Sequence, residues 1–169
     1  MSLWPFKRKE KPPPFDIYKG YYMVVLAPPG PLPPLLQVVN PQGSNGAVKG
    51  FGVPMSAGAS KDVLNDPMIV GTYALASPDK KTVVQVDVFK REDVPAFQIP
   101  ADDAMLERAD LTGDRRDAAV AAAWYMNLLF KSYSPNVYES VQFMIDLCVR
   151  LAELSTGVIA DPLAETYRM

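Results

Sequence analysis

The stretch MIVGTYALASPDKKTVVQVDVFK, residues 68–90, decides the fold class. Its two arms, 68–76 and 82–90, are rich in β-branched and aromatic residues, and they flank Ser77-Pro78-Asp79-Lys80-Lys81, a cluster of turn formers. In the second arm Val84, Val86 and Val88 fall on one face, while Gln85 and Asp87 fall on the other. Period-two alternation around a turn predicts a half-buried antiparallel hairpin.

Moving toward the C-terminus, Pro95 and Pro100 interrupt the chain, and residues 101–109 (ADDAMLERA) read as a short helix with acids in its first turn. Residues 115–133 carry two signals. Their alanines argue for helix, whereas Trp124, Met126, Leu128 and Phe130 alternate with Tyr125, Asn127, Leu129 and Lys131, which suits a strand with one strongly apolar face. We read a strand from about Ala122 to Tyr133, preceded by a polar loop. Ser134 and Pro135 then open a helix as N-cap and first helical residue. Val137, Val141, Met144, Ile145, Cys148, Leu151 and Ala152 form its apolar stripe, with Glu139, Asp146, Arg150 and Glu153 opposite and Asp146 one turn from Arg150. Gly157 is the expected C-terminal cap. Val158-Ile159-Ala160 is a short strand, and Asp161-Pro162 is a turn signal rather than a catalytic acid.

Toward the N-terminus, residues 20–27 (GYYMVVLA) form an apolar strand stopped by Pro28-Pro29-Gly30-Pro31. Residues 32–58 are irregular around a short LLQVVN run, and Ser60 can cap a single helical turn over 60–65. Residues 1–16 form a proline- and lysine-rich tail, extended in character, and residues 17–169 are expected to be one α+β domain. The predicted elements suit an antiparallel or mixed sheet with helices on one face, compatible with a split βαβ, ferredoxin-like sandwich. Such a fold hosts many functions and selects none.

Composition excludes more than it indicates. The 169 residues contain no histidine and one cysteine, which removes classical zinc sites, His-dependent triads and any internal disulfide. A net charge of -2 supplies no field for nucleic acid, so no nucleic-acid partner is expected. No apolar run is long enough to span a membrane, and the N-terminus lacks the apolar stretch of a signal peptide, so the expected location is cytoplasmic. No cofactor or metal is implied.

Three segments invite functional readings. The glycine-rich run 43–52 fits neither phosphate-loop pattern and reads as a flexible loop. Asp102, Asp103, Glu107, Asp110, Asp114 and Asp117 lack calcium-loop spacing and read as helix-start acids and solvated loop. In the tail, Trp4 and Phe6 stand beside Lys7, Arg8 and Lys9, a combination suited to docking on a partner or an anionic surface. The leading expectation is a non-enzymatic protein-interaction or accessory-subunit module, with a protein partner or self-association. One alternative is a small ligand-binding protein or His-independent enzyme whose pocket lies between residues 32–58 and the sheet, lined by Lys49, Tyr73, Asp102 and Asp103. The other is peripheral membrane attachment through the tail.

Overall fold

The computed structural model describes residues 21–39, 51–56, 64–94, 113–162 and 166–168. Seven strands occur among them: β1 (Tyr22–Ala27), β2 (Phe51–Ser56), β3 (Gly71–Ala76), β4 (Val83–Lys90), β5 (Trp124–Ser132), β6 (Val158–Asp161) and β7 (Thr166–Arg168). The helices are α1 (Leu35–Val39), α2 (Asp114–Val120) and α3 (Val137–Ser155), with a 3-10 turn at Arg91–Asp93. One antiparallel sheet runs in the order β2-β3-β4-β5-β1-β6-β7. The protein is therefore an α+β fold. β5 and β6 are both antiparallel to β1, which lies between them, so β5-α3-β6 is a split βαβ unit.

The hairpin forms as its alternation requires, with Val84, Val86 and Val88 fully buried and Gln85 and Asp87 half-exposed. Asp87 accepts hydrogen bonds from Thr72 Oγ1 at 2.8 Å and from Gln85 Nε2, so the polar face ties β3 to β4. The apolar face continues through Met23, Val25, Tyr73, Leu75, Met126, Leu128, Phe130 and Ile159. Onto it pack Leu35 and Val38 of α1 and Met144, Leu147, Cys148 and Leu151 of α3. Each such side chain contributes roughly 1.5–3 kcal/mol by leaving water. A smaller cluster on the opposite face joins Val24, Leu26, Tyr125, Val158 and Ala160 to Ala119 of α2 and to Ala122.

Several local expectations change. Residues 115–133 hold both of the states they signalled, since the alanine-bearing part forms α2, not a polar loop, before β5 begins. The irregular 32–58 stretch contains α1 and β2. Pro54 disguised β2, which proline tolerates because among the described residues the strand pairs with β3 alone and its register shifts between Pro54 and Ser56. α3 starts at Val137 with Asn136 as N-cap. Ser134 acts one step earlier, its Oγ accepting from Asn136 N at 3.2 Å. Val137, in the first turn of the helix, is 39% exposed.

Arg150 is buried at 9% exposure rather than solvated. Its guanidinium donates to the Gln37 carbonyl of α1 at 3.2 Å and pairs with Glu153 at 4.0 Å, while Asp146 instead accepts from Gln142 at 2.8 Å. At the helix end the left-handed residue is Thr156, and Gly157 N donates to Ala152 O at 2.8 Å. Glycine is needed at 157 for closeness, because a Cβ there would lie 2.7 Å from the Leu26 carbonyl of β1. Asp161 ends β6 opposite Thr166, in keeping with the turn reading. The expected helix over 101–109 and the Ser60 cap lie outside the described residues. No helix among the described residues is long and apolar enough to cross a membrane.

Candidate functional site

Register places the start of β1, the end of β5, the β3–β4 turn and the start of α3 at one end of the sheet, because Tyr22 faces Leu129 and Val83 faces Ser132. A groove of about 300 Å³ opens there between the turn and the helix. The end of β1, the end of β4 and the start of β5 meet at the opposite end, beside a wider cleft of about 540 Å³.

The groove has a stiff floor. Ser77 N donates to Thr82 O at 2.8 Å and Thr82 N to Ser77 Oγ at 3.1 Å, closing a turn in which Lys80 takes a left-handed φ of 60°. Asp79 accepts from Ser77 Oγ at 2.6 Å and from Lys81 N at 3.1 Å. The Ser77 hydroxyl, with the Lys81 amide behind it, holds the Asp79 carboxyl below its ordinary value. Beneath the turn, Ser140 of α3 accepts from Ser134 N at 2.7 Å and shares a 2.8 Å hydrogen bond with Thr82 Oγ1. Ser140, Thr82 and Ser134 are all buried. The helix start is thereby fastened to the hairpin turn by hydroxyls that are spent on each other.

Above this floor the groove carries three carboxylates, Asp79, Glu139 and Asp146, and no lysine or arginine among its described lining residues. Lys81, on the turn, pairs with Asp79 at 3.8 Å. Tyr138 stands at the rim with 75% exposure, the most open large apolar side chain among the described residues, and Phe143 closes the apolar wall. Negative potential beside an accessible ring suits a cation, above all an arginine or lysine carried on an extended segment. The volume lies at the small end of ligand clefts, with room for one bulky side chain.

In the wider cleft, Trp124 Nε1 donates to Gly30 O at 2.9 Å and Arg91 Nη1 to Ala119 O at 2.8 Å. Lys90 pairs with Glu92 at 3.8 Å in solvent. The indole N–H and the guanidinium thus hold loops in place. Nearby Tyr125 has its hydroxyl pushed up to about 12 by burial, with Tyr22 adding to the effect. Cys148 lies in the core, its thiol 3.8 Å from Met23 Sδ and pushed well up by burial.

Trp4, Phe6, Lys7, Arg8, Lys9, Lys49, Asp102 and Asp103 lie outside the described residues. Tyr73 is 1% exposed, and its hydroxyl donates to Ile69 O at 3.1 Å and accepts from Ile69 N at 3.0 Å. It is a core side chain and lines neither cleft. Among residues 32–58, none of the described ones lines either cleft. Sequence reasoning passed over Thr82, Tyr138, Glu139 and Ser140. Tyr138 did leave a trace, as an aromatic residue off the apolar stripe of α3, where solvent exposure is the default. The sequence matches no protein-family model, and comparison with curated proteins and with solved structures finds no match.

Proposed function

We propose that the protein is a non-enzymatic binding module that takes extended, basic segments carrying aromatic residues into the groove between the β3–β4 turn and the start of α3. The observation that carries this reading is the placement of Asp79, Glu139, Asp146 and the exposed Tyr138 ring around one groove whose floor is locked by the Ser134–Ser140–Thr82 hydrogen bonds. A surface this small supports weak, exchangeable binding of the kind an accessory subunit or a self-associating protein uses. The lone buried thiol suits a reducing compartment, and a cytoplasmic setting is part of the proposal.

Fluorescence anisotropy of a labelled Trp-Lys-Arg-Lys-Arg peptide, titrated with the full chain, tests it. Binding should weaken steeply with salt and fall at least tenfold in the double variant Glu139→Lys, Asp146→Lys. Equal binding by the two proteins would sink the proposal.

The wider cleft supports a second reading, a small anionic ligand held near Lys90 and Trp124, since its volume of about 540 Å³ falls within the range of ligand sites. A screen of small anions that leaves both the melting temperature and Trp124 emission unmoved would dispose of it.

A further inference from the structure

We infer that the groove's resident occupant is the chain's own segment 4–11, WPFKRKEK, which docks within the same molecule and must be displaced before any other basic segment binds. The inference rests on the binding role proposed for the groove and adds its regulation.

Charge argues first. The segment carries four cations, Lys7, Arg8, Lys9 and Lys11, against Glu10 alone, and it brings Trp4 and Phe6 to a groove lined by three carboxylates and an exposed tyrosine. Position argues second. The chain enters the described fold at Tyr21, whose ring stacks on Phe130 at 6.2 Å, and Phe130 in turn meets the Tyr133 ring at 6.5 Å. The next residue, Ser134, lines the groove. The tail therefore departs from the groove's own end of the sheet, two ring contacts away. Reach argues third. Nine residues separate Lys11 from Tyr21, and a proline-bearing spacer of that length spans up to roughly 30 Å, ample to return a strand of chain across its own end of the sheet. Linkage then supplies an effective concentration on the order of 1 mM, so a contact with an intrinsic dissociation constant near ~100 μM is mostly closed.

Two measurements on the full chain test this. Trp4 and Trp124 are the only tryptophans, so Trp124→Phe leaves Trp4 as the single reporter. Its emission should be blue-shifted and shielded from a soluble quencher at low salt. Both properties should be lost in high salt, or when Glu139→Lys and Asp146→Lys are added. A fully exposed Trp4 at low salt overturns the inference.

The second measurement needs no tryptophan change. A labelled WPFKRKEK peptide is titrated against the natural chain and against a variant with Lys7, Arg8, Lys9 and Lys11 replaced by serine. Removing the internal competitor should tighten binding about tenfold, from the ratio of effective concentration to intrinsic affinity. Equal affinities that are both lost on groove charge reversal would overturn internal docking while leaving the groove a binding site. No binding to either protein would defeat both readings. Tight binding accompanied by dimers of the natural chain in light scattering would show the tail docking on a second copy, and would overturn the internal arrangement.

Discussion

Ser140→Ala removes the single hydroxyl that fastens α3 to the β3–β4 turn. The lost atom accepts from Ser134 N at 2.7 Å and bonds Thr82 Oγ1 at 2.8 Å, and all three residues are buried. Leaving a buried polar group unmatched costs about 1–3 kcal/mol, so the two partners together lose about 2–6 kcal/mol. Alanine's better helix propensity returns about 0.5 kcal/mol. The net expectation is a loss of about 1.5–5.5 kcal/mol, which for a chain of this length lowers the melting temperature by roughly 5–20 °C. Guanidinium unfolding followed by circular dichroism should show an earlier midpoint with an unchanged slope. Ser132→Ala is the matched control, because that hydroxyl makes a longer 3.3 Å bond to Lys81 O near solvent, and its effect should stay within about 0.5 kcal/mol. If Ser140→Ala is as mild as the control, the hydroxyl knot is not what positions the helix start, and the rigid groove floor loses its basis.

Gly157→Ala should destabilise the protein by about 1–2 kcal/mol in the same assay, because overpacking against the Leu26 carbonyl at 2.7 Å outweighs the entropy of roughly 0.4–1 kcal/mol that alanine saves in the unfolded chain. A stabilised variant would contradict the packing of α3's end on β1. The Asp79 carboxyl is held low by Ser77, so its ionised form favours the folded turn. That contribution is complete above the unfolded value near about pH 4 and disappears as pH falls through the lower folded value. A carboxyl titration by NMR should place Asp79 below a peptide aspartate and return it upward in Ser77→Ala, and coincident midpoints would refute the turn's electrostatics. Cys148 should resist alkylation at mildly alkaline pH until denaturant opens the core, whereas prompt stoichiometric labelling of the native chain would contradict its burial.

What the sequence reveals here depends on how locally each feature is specified. The β3–β4 hairpin and α3 are legible because each buries one face of a regular element, and burial writes its period into the residues. β2 escapes because Pro54 removes a donor that an edge position does not need. α2 is signalled by its alanines alone, because among its described residues only Ala119 is deeply buried, which leaves no stripe to read. Arg150 falls on the polar side of the helix by spacing alone, and only the arrival of α1, with the Gln37 carbonyl, turns that side inward. The groove is the extreme case. Its floor joins Thr82 to Ser140 across 58 positions, and neither residue carries a pattern that anticipates the other.

That basic segments bind at the turn–helix groove is tested most directly by chemical-shift mapping of the isotopically labelled chain with Lys7, Arg8, Lys9 and Lys11 replaced by serine, titrated with the WPFKRKEK peptide, because a groove already holding the same segment would shift little on exchange. Perturbations should concentrate at Ser77, Asp79, Thr82, Ser134, Tyr138, Glu139 and Asp146, and shrink when Glu139→Lys and Asp146→Lys are added. Perturbations centred instead on Gly30, Lys90 and Trp124, at the opposite end of the sheet, would contradict it.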